Sequence, residues 1–321
     1  MNTILSRTAA ATALALLALG GAHAAYPDKP IRLIIPFAPG GGNDLTGRLI
    51  GDELGKVLGK PVVVENKGGA GSTIGTAFVA QAAPDGYTLL IVSTPYAAND
   101  TLYKNLPFNS AKDLRGVARF SSAPNVVSVY PGTGFKTWKE LVDYAKANPG
   151  KLNYVSSGAG SFQHMSGEML VDMANIKVEH IPYKGAGAAM ADVMAGHAHI
   201  TIGTAFQSLS NIRSNRLVPL AVSGDKRLDI LPEVPTFAEA GLPGYASENW
   251  FGVVAPAGVP DDIINTLSSA LKKILDTPEI QQKLASEGAN LAYLGPKDFD
   301  KYLEEERAKW SRVITQLGLA Q

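Results

Sequence analysis

Short apolar runs alternate with amphipathic stretches along this chain, and glycine-rich turns separate them. Ile31 to Phe37 (IRLIIPF) predicts a fully buried strand, and Ala38-Pro-Gly-Gly-Gly42 the turn that ends it. Beyond the turn, Leu45, Leu49, Ile50, Leu54, Val57 and Leu58 recur near the helical period, with Arg48, Asp52, Glu53 and Lys56 on the other face. Pro61 to Glu65 predicts a second strand, Asn66 to Gly71 another turn, then a helix to about Ala82, and Tyr87 to Val92 a third strand. Buried strands alternating with helices imply a parallel sheet covered on both faces.

The same grammar restarts after Pro124. Val126 to Val129 predicts a strand, Thr137 starts a helix that ends near Asn148-Pro-Gly150, and Leu152 to Ser156 predicts the next strand. Gly158-Ala-Gly160 then opens a helix carrying His164, Glu168 and Leu170. Val178 to Ile181, the turn Tyr183 to Gly187 and a helix from Ala188 to Met194 repeat the unit, followed by strands at Ile200 to Ile202 and Leu217 to Val222. The last third reads as helical: Ile263, Ile264, Leu267, Leu271, Ile274 and Leu275 form one stripe, and Pro296 opens a final helix stopped by Gly318. Two α/β lobes in series account for the pattern, and Glu304, Glu305 and Glu306 read as a solvated helix face.

The first two dozen residues are a separate object. Arg7 is their only charge, an apolar run covers Ala9 to Leu19, and Ala22-His23-Ala24 fits a small-x-small cleavage site. This is the three-part pattern of an export signal, and its apolar run is well short of the ~20 residues a membrane span needs. The expected mature protein begins after Ala24 and is periplasmic, which disfavours ATP or nicotinamide chemistry.

Composition narrows the classes further. The 29 basic and 29 acidic residues cancel, against the positive field that nucleic-acid or membrane coating needs. With no cysteine among 321 residues, there is no thiol nucleophile, thiolate metal site or lipoprotein anchor. The sequence lacks both G-x-S-x-G and G-x-x-x-x-G-K-[ST], so it has neither a nucleophile elbow nor a P-loop. No cofactor, metal or catalytic residue is expected.

The placement of the glycines carries the positive signal. The first N–H groups of a helix lack partners and sit at its positive end, so a glycine-rich turn there can seat a carboxylate or phosphate. Residues 38–46 (APGGGNDLT) and 156–162 (SSGAGSF) are two such ends, one per expected lobe, with Asn43, Thr46, Ser157 and Ser161 as neutral hydrogen-bonding groups. Residues 68–75 (GGAGSTIG) read instead as a turn whose glycines serve only the tight reversal. His164, one turn inside the second cradle, would give a polar contact to a bound carboxylate, and Asp44 serves either the first cradle or the start of its helix.

At these turns the chain resembles the Bug family, the extracytoplasmic solute receptors of tripartite tricarboxylate transporters. The resemblance rests on five ordered blocks: residues 29–48, 65–75 (ENKGGAGSTIG), 84–91 (PDGYTLLI), 181–196 (IPYKGAGAAMADVMAG) and 232–260, the last containing EVPTFAEAGLPGY and WFGVVAPAGVP. It implies a two-lobe type II periplasmic-binding-protein fold, each lobe a sheet flanked by helices, with the ligand between them. Lobe 1 would comprise 25–124 plus 246–321 and lobe 2 125–245, with 1–24 the signal peptide. The implied ligand is a small di-, tri- or aromatic carboxylate, the implied partners are membrane permease subunits, and the implied state is a monomer.

By motif match, Phe37, Gly41, Gly42, Asn43 and Asp44 would form the first cradle, with Ser93 and Thr94 ending the neighbouring strand. Ser157, Ala159, Gly160, Ser161 and His164 would form the second, with Tyr183, Lys184, Gly203 and Thr204 nearby. The chain departs from the family pattern at Ala188, where a proline is common, and at His199 and Gly203, where aspartates are common. The missing acid at Gly203 implies a cargo without an amino group. A sensor partner of a membrane kinase, and an exported hydrolase using His164 with Ser157 or Ser161, are the alternative readings.

Overall fold

β1 (Ile31–Ile35) is buried almost throughout and pairs in parallel with β2 (Val62–Asn66) and β3 (Thr88–Ser93). Between them run α1 (Gly42–Leu58) and α2 (Thr73–Ala80). These coordinates are a computed structural model describing residues 26–286 and 288–320, so the expected leader lies outside the described residues. In order follow α3 (Thr94–Leu102), α4 (Ser110–Asp113), β4 (Leu114–Val129), α5 (Trp138–Ala147), β5 (Asn153–Ser156), α6 (Phe162–Met173) and β6 (Glu179–Pro182). Then come α7 (Ala186–Met194), β7 (Ile200–Thr204), α8 (Ala205–Arg213), β8 (Val218–Val222), β9 (Glu248–Pro256), α9 (Asp261–Leu275), α10 (Pro278–Ser286), β10 (Asn290–Leu294) and α11 (Pro296–Leu317). No helix among the described residues is long and apolar enough to cross a membrane.

The result is a mixed α/β fold: a curled sheet in the order β2-β1-β3-β9-β4-β7-β5-β6, flanked by helices. The expected all-parallel sheet is corrected here. Parallel pairing holds within β2-β1-β3 and within β6-β5-β7, where helices supply the crossovers. β9 enters antiparallel between β3 and β4, and β4 is antiparallel to β7. β4 joins the two sets: Leu114–Pro124 pairs with β9, whereas Asn125–Val129 pairs with β7 and β8. The hydrophobic pattern showed only its last four residues, because Arg119, Ser121, Ser122 and Pro124 interrupt the apolar run. β9 and β10 were likewise absent from the helical reading of the last third.

Helix packing follows the periodic stripes. α1 buries Leu49, Ile50 and Leu54 and ends at Gly59 in the left-handed conformation that glycine tolerates. Its internal glycines allow close approach to the sheet: a Cβ at Gly47 would lie 2.7 Å from Ile35 Cδ1, and one at Gly51 2.8 Å from Val64 Cγ2. α9 buries Ile264, Leu267, Leu271, Ile274 and Leu275, as the stripe requires. α5 starts with a capping box, in which Thr137 and Glu140 satisfy each other's backbone N–H groups.

α11 departs from the sequence expectation at Glu306. Glu304 and Glu305 are exposed, but Glu306 is buried and its Oε2 accepts the indole N–H groups of Trp250 (2.9 Å) and Trp310 (3.1 Å). The carboxylate thus fastens the last helix to β9. Glu306→Ala should leave two buried indole donors unpaired and cost about 2–5 kcal/mol; urea unfolding of the two proteins measures the difference.

Candidate functional site

The turns after β1, β2, β5 and β6 converge on a cavity of about 510 Å³. Its floor and walls come from four backbone segments that end strands and begin helices: Gly41–Asn43 at α1, Gly69–Ser72 before α2, Ser161–Gln163 at α6, and Gly185–Ala186 at α7. Each is an end where backbone N–H groups have no partner within the helix.

At α1, Gly41 caps the helix in extended conformation and no side chain covers the end. Its carbonyl accepts from Asp44 and Leu45, which leaves the N–H groups of Gly42 and Asn43 without an acceptor among the described residues. At α6, Ser161 Oγ accepts from the His164 N–H, leaving those of Phe162 and Gln163 free in the same sense. The two ends belong to different strand sets yet lie against one cavity. A Cβ at Gly41 would come 3.6 Å from Ala186 Cβ, and one at Gly42 3.6 Å from Thr204 Oγ1. Tyr103 completes the contact opposite: a Cβ on Gly71 or Gly160 would lie 2.5 or 2.6 Å from its hydroxyl.

The lining has one charge. Among the described residues facing the cavity, Lys184 alone is ionisable to a cation and none is acidic, while Phe37, Pro39, Pro95, Phe162 and Tyr183 supply apolar surface. Gln163 links Ser157 Oγ (2.8 Å) to Gln207 (3.4 Å) across the cavity wall.

Of the residues singled out by sequence, Phe37, Gly41, Gly42, Asn43, Ser157, Ala159, Ser161, Tyr183 and Lys184 line this space. Seven do not. Asp44 is buried beside it, where Oδ2 accepts from Gly40 N–H (3.0 Å), Oδ1 from Asn66 Nδ2 (2.8 Å), and Arg48 lies at 2.9 Å. Burial pushes its pKa up, but Arg48, the Gly40 N–H and Asn66 outweigh that and hold the carboxyl below its ordinary value. Asp44 therefore shapes the first turn from inside. Ser93 is buried, and Thr94 is tied through its N–H to Asn249 Oδ1 (3.3 Å) and through its hydroxyl to the Glu248 carbonyl (3.4 Å). Gly203 and Thr204 stand behind Gln207, with a Cβ on Gly203 2.9 Å from Gln207 Oε1. Gly160 and His164 lie behind the second turn, joined by a Gly160 N–H to His164 Nδ1 bond of 3.1 Å.

That geometry gives the hydrolase reading no support. Ser157 gives its proton to Gln163 and Ser161 accepts from a backbone N–H, so neither hydroxyl is paired with the His164 ring. Asn66, Pro95, Gln163, Gln207 and Asn249 also line the cavity, and so do Gly68–Ser72, whose sequence predicts only a tight reversal. The glycine spacing of that turn was visible; its position opposite the second cradle was not. His197 and His199 lie elsewhere, paired with Asp192 and Asn153.

Residues 46–319 match the family described as "Tripartite tricarboxylate transporter family receptor". The chain is 33% identical to "Protein BugT" of Bordetella pertussis over 91% of its own length and 90% of that protein's. It is similar to a solved structure from R. palustris, Rpa4515 with adipate, at a TM-score of 0.89 and 32% identity, covering 92% of this chain and 99% of that one. MatC from Rhodopseudomonas palustris, with bound malate, gives a TM-score of 0.84 and 29% identity, covering 90% and 100%.

Two measurements follow from the packing behind the second turn. Gly160 sits at φ +74, so Gly160→Ala combines left-handed strain with a clash on Tyr103 and should cost about 1–3 kcal/mol. Burial and the neighbouring His164 push the His180 pKa from 6.5 down to about 4. The unfolded chain takes that proton near pH 6.5 and the folded one refuses it until about pH 4, so stability should fall as pH drops through that window. Urea midpoints of wild type and His180→Gln between those pH values check the sign; the variant's dependence should be shallower.

Proposed function

The chain belongs to the tripartite tricarboxylate transporter receptor family, and we propose that it is a periplasmic receptor that captures a small carboxylate in this cavity and delivers it to membrane permease subunits. One observation carries the reading: unpaired helix-start amides from both strand sets face one space where, among the described residues, a single lining side chain is charged. Carboxylate oxygens accept from such N–H groups in charge-assisted bonds, which are short and strong where water is excluded. The adipate and malate in the two similar R. palustris structures support an acid of this class.

Residues 25–124 with 246–321 form the first lobe and 125–245 the second. The change of β4 partners between Pro124 and Asn125 supports that boundary. Phe37, Gly41, Gly42 and Asn43 grip the acid from the first lobe, joined by Gly69–Ser72; Ser157, Ala159, Ser161, Tyr183 and Lys184 do so from the second. Asp44, Ser93, Thr94, Gly160, His164, Gly203 and Thr204 support those surfaces. The receptor works as a monomer, without catalysis, and closes by hinge motion at the crossing segments near Pro124 and Gly244. The cargo lacks an amino group, because no carboxylate among the described residues lines the cavity to receive an ammonium.

A thermal-shift panel of adipate, malate, citrate, benzoate, aspartate and glutamate tests the reading. A true cargo at a hundredfold excess over its Kd adds about 2.7 kcal/mol of stability; silence across the panel contradicts carboxylate capture, and tightest binding of aspartate or glutamate contradicts the amino-free cargo. For the tightest acid, Lys184→Met should weaken binding about fivefold or less, since an exposed ion pair contributes little. Small-angle scattering should show contraction on saturation, and superimposable curves would refute closure.

A further inference from the structure

The second turn is braced from behind by two imidazoles that line no part of the cavity. His164, in the first turn of α6, is 9% exposed and accepts the Gly160 N–H through Nδ1 at 3.1 Å. His180, on β6, places Nε2 2.6 Å from Ser156 Oγ, and that hydroxyl meets the C=O and the N–H of Gly158 at 3.1 Å each. The two rings stack with centroids 4.1 Å apart, and Tyr154 stacks on His180 at 4.9 Å. Gly167 makes room for this stack, since a Cβ there would lie 2.3 Å from the Tyr154 ring. The turn from Ser156 to Ser161 is thus tied to imidazole at both its beginning and its end.

His164, Glu168 and His180 lie close enough together to suggest a metal site. The hydrogen bonds argue otherwise. A backbone N–H can only donate, so Nδ1 of His164 is unprotonated and the neutral ring carries its proton on Nε2, where a metal would need a lone pair. Glu168 Oε1 is already engaged by the Tyr154 hydroxyl at 2.6 Å.

We propose that His164 and His180 are positioning residues for ligand capture: as a stacked neutral pair they fix the Ser156–Ser161 turn so that the amides of Phe162 and Gln163 face the cavity. This rests on the carboxylate reading of that cavity. Glu168 from α6 itself faces the pair, and Tyr154 from β5 stacks on His180 and bonds Glu168; Tyr245 bonds the Ser166 carbonyl of the same helix. Glu168 favours a proton on His164, while burial opposes it more strongly; burial and the His164 ring both disfavour a charge on His180. A proton on His164 would turn Nδ1 into a second donor aimed at Gly160 N–H, open the turn and release the acid.

The test uses the whole chain with 15N-labelled histidine and, as probes, adipate, malate, citrate and benzoate. At pH 7 the His164 nitrogen shifts should be those of the Nε2–H tautomer, and the Gly160 amide should exchange slowly. Asn carries an oxygen near the place of Nδ1, so His164→Asn should hold the tightest probe within about threefold of wild type. His164→Ala, which has no acceptor, should weaken it about tenfold and speed Gly160 exchange. A charged or Nδ1–H His164 at pH 7, or equal affinities in the two variants, would overturn the proposal. If none of the four acids binds wild type, the carboxylate reading fails instead, and the nitrogen shifts and Gly160 exchange still decide the positioning claim.

Discussion

The cleft depends on a backbone constraint: a helix cannot satisfy its own first N–H groups. In most helices a side chain or water meets them. At α1 the cap is a glycine with no side chain to offer, and at α6 the capping serine reaches only the His164 N–H. What remains is a pair of partial positive charges fixed in space, each at the end of a strand set that the long β4 holds together. Fixed donors cost little to organise when an anion arrives, because the fold has already oriented them.

That choice shapes the rest of the cavity. Guanidinium or ammonium groups would bind acids more tightly per contact but would lose side-chain freedom and carry their own hydration. Among the described residues one lysine is the only cation in the lining, and the remaining walls are small, proline and aromatic surface with neutral amide and hydroxyl side chains. Ionisable support sits one layer back: Asp44 with Arg48 behind the first turn, His164 with His180 behind the second. The ionisable residues in these layers hold the loops, and the loops present the amides.

Legibility in the sequence followed the range of the interaction. The glycine turns at 38–46 and 156–162 were readable, because a strand, a reversal and a helix start are local events with residue signatures. Asn66, Gln207 and Asn249 were not, since each reaches the cavity only through the pairing of distant strands. The turn at 68–75 showed its glycines but not its destination. Asp44 and His164 were recognised as polar residues near the cradles, yet the structure points their acceptors at backbone of their own turns. The burial of Glu306 is hidden for a similar reason: Trp310 and Lys309 lie within four residues of it, but Trp250 lies 56 residues away, across the fold.

The most direct test is the structure of the protein occupied by its tightest acid. The account expects carboxylate oxygens at hydrogen-bond distance, about 2.7–3.1 Å, from the N–H groups of Gly42 or Asn43 on one side and Phe162 or Gln163 on the other. An acid paired mainly with Lys184, or seated away from these helix starts, would contradict it.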